Sequence, residues 1–207
     1  MQPPDSLPAQ LFLLAVDPER RKLRSGTDLG LVLRAAALVE LQLAGRLVDD
    51  GGRAVVRDGP PLADPVLDGV LRQVAAEPGR RWRRWIEKDT RRITAAVRDG
   101  LAAARRISVE PYRVLGILPA RRITIPDPMA RDRIVGAIEA ALADAWPVGD
   151  RTAALVALAA AAELKALLPR ARRRAHRDRI AELTARTGPV PVMLRQALHR
   201  RRAAAAG

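Results

Sequence analysis

The chain has 207 residues, long enough to bury a core of its own, and is read as one domain. About half of it is apolar, but aromatics amount to three Trp, one Tyr and one Phe, so the core has to be built from Leu, Val, Ile and Ala. The absence of cysteine excludes disulfides, thiolate metal sites and thiol nucleophiles, and a formal charge of +14 favours anionic partners such as phospholipid surfaces, nucleic acid or acidic proteins.

Met1-Gln-Pro-Pro-Asp-Ser lacks the charged start and apolar stretch of a secretion signal. Leu7 to Val16 then reads as a short helix, closed by Asp17-Pro18 because proline cannot continue the hydrogen-bond ladder. Thr27 or Asp28 can cap a second helix that runs to about Ala44 and ends at Gly45. Within it, Leu29 to Val39 holds a single charge, Arg34. Taking a guanidinium out of water costs several kcal/mol unless an anion or a set of acceptors meets it. Arg34 therefore either has an internal carboxylate or receives an anionic ligand.

Arg46 to Val56 reads as two strands around the Gly51-Gly52 turn. Asp64-Pro65 starts a helix, acid as cap and proline in the first turn, that stops at Pro78-Gly79. Residues 80–105 read as one strongly basic helix. Its apolar face is Trp82, Trp85, Ile86, Ile93 and Val97, while Arg81, Arg84, Lys88 and Arg91 line another face. Arginine suits phosphate because its planar fork makes two charge-assisted hydrogen bonds, but a solvated basic face with Glu87 and Asp89 as local partners reads equally well.

Ile107 to about Ile125 follows as a β-branched hairpin. Its middle, Val114-Leu-Gly-Ile-Leu-Pro119, precedes Arg121-Arg122. An apolar tip followed by arginines suits a loop dipping into a lipid interface, but by pattern alone packing inside the domain or at an oligomer contact is the favoured reading. Further helices are expected from Asp127-Pro128 to about Ala145, from Asp150 to Leu168, from Ala171 to Arg186 and from Pro191 to Arg202. The longest apolar stretch, Thr152 to Leu168, is interrupted by Glu163 and Lys165 and falls short of the roughly 18 residues that cross a bilayer. Arg170, Arg172, Arg173, Arg174, Arg177 and Arg179 form a basic run that reads as solvated, with lipid or nucleic acid as alternatives.

Enzyme signatures are missing: no glycine loop ahead of a lysine, no His-Glu-x-x-His and no serine elbow. His176 and His199 lie among arginines, which disfavours a metal, so neither metal nor cofactor is expected. The fold class expected is mainly α, a single compact helical domain over residues 7–203 with two β-hairpins, one apolar at its tip, and flexible ends at 1–6 and 204–207.

Leu33-Arg-Ala-Ala-Ala-Leu-Val-Glu-Leu-Gln-Leu-Ala-Gly-Arg-Leu47 resembles the signature of the Golgi phosphoprotein 3 family, in which an arginine precedes a hydrophobic helix ending Gly-Arg-Leu. Other pieces fall in the same order: Leu11, Leu13 and Leu14, the step from Asp64 to Asp68, Trp85-Ile86-Glu87, the hydrophobic hairpin, and Asp150-Arg151 opening a Leu/Ala-rich helix. The resemblance spans roughly residues 7 to 203.

It implies a mostly helical domain that docks on membranes by binding the headgroup of phosphatidylinositol 4-phosphate. Of the family's pocket residues, the first arginine matches Arg34 and the second Arg91. The third falls on Thr94, and the tryptophan falls near Ser25. Arg92 and neighbouring Arg84 or Lys88 are the expected helpers. The family's hairpin is its membrane-inserting element, which points to Leu115, Ile117 and Leu118 here. Lys22, Lys88 and Lys165 are the only lysines, and with abundant alanine this is the composition of a GC-rich bacterial genome, so a Golgi role does not transfer.

The resulting expectation is a non-enzymatic peripheral membrane protein at a cytoplasmic face. Its partners would be anionic membrane lipids, with an acidic or membrane-protein tail as a further partner and the hairpin as an oligomer contact. The rival is a nucleic-acid-binding protein using basic helices and a hairpin wing.

Overall fold

A computed structural model of the chain describes residues 6–24, 28–114, 117–143, 147–165 and 167–206. Helix α1 (Leu7–Ala15) leads into the short pair β1 (Val16–Asp17) and β2 (Lys22–Leu23), and α2 (Leu29–Leu43) follows. Every residue of α2 from Gly30 to Leu41 is buried. A helix that is apolar all round belongs inside a protein, and α2 is packed by α1 and by the later elements α3, α4, α5, α7 and α10. It ends as expected at Gly45, whose left-handed φ of 68° lets Arg46 N donate to Leu41 O.

Strands β3 (Leu47–Asp50) and β4 (Arg53–Val56) pair antiparallel with Asp50 opposite Arg53, and Gly51 and Gly52 supply the two positive φ angles of the turn. Helix α3 (Pro65–Ala76) starts on Asp64, whose carboxylate accepts from Val66 N at 2.8 Å. Residues 80–105 are not one helix. Lys88 is extended and Asp89 is left-handed (φ 51°), which separates α4 (Trp82–Glu87) from α5 (Thr90–Ala103). The apolar face holds, with Trp82, Trp85, Ile86, Ile93 and Val97 all buried. The basic face does not, because Arg81, Arg84 and Lys88 stand on one side of the break and Arg91 on the other.

The second expected hairpin is β5 (Ser108–Val114) with β6 (Leu118–Thr124). Its base is held by Arg21, whose carbonyl accepts from Ile123 N at 2.7 Å. With β1–β2 the described residues hold three two-stranded sheets where two were expected. The remaining helices are α6 (Met129–Leu142), α7 (Asp150–Ala161), α8 (Arg170–Ala175), α9 (Arg177–Thr187) and α10 (Val190–Ala206). Helix α7 stops short of Leu168 because Glu163 adopts the left-handed position (φ 49°) that closes it, with Leu164 N donating to Ala159 O. Among the described residues no helix is long and apolar enough to cross a membrane.

Glu40, 7 % exposed, accepts from Leu7 N at 2.7 Å and pairs with Arg151. Ser6, at the cap position of α1, makes no side-chain cap, so a carboxylate from α2 takes over that role.

Candidate functional site

Arg34 lies in the second turn of α2 and is 1 % exposed. Its Nε donates to Trp85 O at 2.8 Å and its guanidinium NH2 to Gln73 Oε1 at 2.6 Å. Both acceptors are neutral. The Trp85 carbonyl is in the last turn of α4, where helical partners run out, so Arg34 also closes that short helix. No carboxylate lies within 4 Å of Arg34 among the described residues, though Asp89 pulls on it from further away. Burial pushes its pKa down to about 10 against that attraction, which leaves it charged at neutral pH. The trapped charge is thus hydrogen-bonded but lacks a contacting counter-ion.

The corner around Arg34 is assembled by a close backbone approach. A Cβ on Gly30 would stand 2.3 Å from Thr90 O, so only glycine lets the first turns of α2 and α5 touch. Neither helix start has a side-chain cap: Asp28 is turned to Arg201, and Asp89 makes no cap hydrogen bond. The first turn of α5 carries no acid and instead bears Arg91 and Arg92, both exposed. Neither makes a hydrogen bond or ion pair with a described residue. Cations at a helix amino terminus oppose its dipole by about 0.3–1 kcal/mol each, an opposition that an arriving anion reverses.

The helpers behave differently. Arg84 donates to Glu77 Oε2 at 2.8 Å and Lys88 Nζ donates to Glu77 Oε1. The Lys88 bond, followed by that from Arg84, holds the Glu77 carboxyl down to about 2. Lys88 Nζ also stands 5.1 Å from the centroid of the Trp85 ring. Thr94, where the resemblance places another arginine, donates its hydroxyl to Thr90 O. Ser25 lies outside the described residues.

At the hairpin, Ile117 is 79 % exposed, a large apolar side chain standing in solvent. Leu115 lies outside the described residues, and Leu118 begins β6 opposite Val114. The Arg122 guanidinium carbon stands 5.3 Å from the centroid of the Tyr112 ring. Helix α5 separates Arg91 from the hairpin by roughly 20 Å of helix. Sequence reasoning missed Gln73, Asp89 and Gly30 as parts of the Arg34 corner. Gly30 carried a readable signal, a glycine inside an apolar helix start, whereas Gln73 carried none.

Fold and site together define a mainly helical domain built around one buried helix that carries an internal cation. The model of the Golgi phosphoprotein 3 (GPP34) family matches residues 7–200, and the chain belongs to that family. No curated protein sequence matches it in direct comparison.

Proposed function

We propose that this chain is a non-enzymatic peripheral membrane protein whose Arg34 corner binds anionic, phosphatidylinositol 4-phosphate-like headgroups. The observation that carries the reading is a buried, charged guanidinium held by neutral acceptors beside two arginines, without a partner among the described residues, on an uncapped helix start. A phosphate there would be met by Arg91 and Arg92 and by the first N–H groups of α5, within the field of Arg34. Arg84 and Lys88 would join by exchanging Glu77 for the ligand. Ile117, with Leu115 and Leu118, would enter the interface, and the surrounding arginines would add about 1 kcal/mol each close to an anionic surface. Family membership supports a lipid-facing role at the cytoplasmic leaflet, with a membrane-protein tail as a further partner.

Vesicle sedimentation tests this with surface variants that leave the core intact. Arg91→Ala/Arg92→Ala is expected to lower retention on vesicles carrying phosphatidylinositol 4-phosphate by about tenfold or more, two charge-assisted contacts being lost. Ile117→Asp should lower retention on all anionic vesicles. Unchanged retention in the double arginine variant refutes the site. Tighter retention by duplex DNA than by vesicles at matched salt would select the nucleic-acid reading.

A further inference from the structure

We propose a second binding site, separate from the Arg34 corner, for a single-chain organic anion: a phosphomonoester carrying one apolar chain. It is a cavity of about 580 Å³ between the end of α1, the β1–β2 turn and the segment after α7, a volume within the range of small-molecule sites. None of Arg34, Arg91 and Arg92 lines it. The two places meet at the first turn of α2, where Leu29 faces this cavity and Gly30 abuts Thr90, and at the end of α10, where Arg202 lines the cavity and Arg201 pairs with Asp28.

The walls divide by chemistry. Leu14, Leu29, Leu164 and Leu167 supply an apolar lining. Lys22 and Lys165 stand at the rim, so two of the chain's three lysines meet at one cavity. Neither has a hydrogen bond or ion pair with a described residue. The carboxylates that could have neutralised them are already engaged. Asp17 accepts from Glu19 N and Arg20 N and pairs with Arg24 at 3.5 Å. Glu163 is held by Arg202 and lies 3.9 Å from Arg173. Hydrogen bonding and nearby positive charge keep both carboxyls below their usual range, so they stay ionised and committed.

The backbone contributes as well. Glu163 occupies the left-handed turn where glycine usually ends a helix, and that turn delivers Leu164 and Lys165 to the rim. Arg21, beside Lys22, is left-handed too. Such conformations in residues with side chains gather where a site is shaped. Among the lining cations Arg24 and Arg202 are engaged by Asp17 and Glu163, which leaves the Lys22 and Lys165 ammonium groups and the Arg20 guanidinium for a phosphate dianion, and the leucine walls require an apolar continuation of the ligand.

Calorimetry with decyl phosphate below its micelle concentration tests the site, with inorganic phosphate and decanol as the two half-ligands. The full chain is expected to bind decyl phosphate and to bind either half at least about tenfold more weakly. Lys22→Gln/Lys165→Gln should weaken decyl phosphate by about tenfold, since two charged contacts are lost. Arg170→Gln/Arg174→Gln, which removes equal charge from α8 positions that pair with no described residue, should leave it unchanged. Leu23→Ser, on the wall, should weaken decyl phosphate but not inorganic phosphate. Absence of decyl phosphate binding, equal weakening by the lysine and arginine pairs, or inorganic phosphate binding as tightly as the decyl ester would each overturn the proposal.

Discussion

Helices α4 and α5 are neighbours in the chain and both are rich in cations, yet their charges have opposite fates. Arg84 on α4 and Lys88 just past its end converge on Glu77, the residue that closes α3, and share its carboxylate. Arg91 and Arg92, just past the left-handed Asp89, face no described carboxylate and stand on a helix start that their own charge disfavours. Formal charge therefore says little about available charge. What decides is whether a carboxylate from elsewhere in the fold reaches the cation, and among the described residues Glu77 pairs with cations before the break at Asp89 and with none after it.

The largest effect expected concerns the residue that both helices surround. Arg34→Ala leaves Trp85 O and Gln73 Oε1 without their donor, and urea unfolding should show a loss of about 2–4 kcal/mol. A loss below about 0.5 kcal/mol, the level of an ordinary surface change, would mean that the corner does not depend on it. Next comes Gly30→Ala, whose Cβ collides with the α5 backbone at Thr90; forcing the two helix starts apart should cost roughly 1–3 kcal/mol in the same measurement.

Glu77→Gln sharpens the contrast directly. It releases Arg84 and Lys88, so retention on anionic vesicles should rise severalfold, each freed cation adding up to about 1 kcal/mol near the surface. Unchanged retention would place α4 away from the membrane. The smallest effect is on pH dependence. The Glu77 carboxyl is lowered from 4.5 to about 2 in the fold, so its contribution is complete above the unfolded value and fades as pH falls through the folded one. Between about pH 5 and pH 2 the thermal midpoint of the parent should drop more steeply than that of Glu77→Gln.

Much of this arrangement was legible where signals are local. Asp64 ahead of Pro65, Gly45 after an apolar helix and Gly51-Gly52 between strands each mark a backbone requirement that short-range chemistry imposes. The isolation of Arg34 and the spacing of Trp82, Trp85, Ile86, Ile93 and Val97 announced their burial. The end of α4 was not legible, because an aspartate takes the left-handed position with no glycine or proline to mark it. The end of α7 was hidden in the same way by Glu163. Nor could spacing show that Arg84 and Lys88 were taken, since Glu77 belongs to another helix and meets them only in the folded chain.

The carboxylate of Glu40 has a consequence for how this chain is made. Its two partners, Leu7 and Arg151, are 33 and 111 residues distant. While the ribosome is still delivering the first 150 residues, the emerging amino-terminal half carries an acid destined for the interior with only one of its two ligands to hand. The early helices therefore lack that closing ion pair until α7 has been made. Consolidation waits for the start of α7 to leave the exit tunnel, so translation products truncated before it should be handled by the cell as unfinished chains.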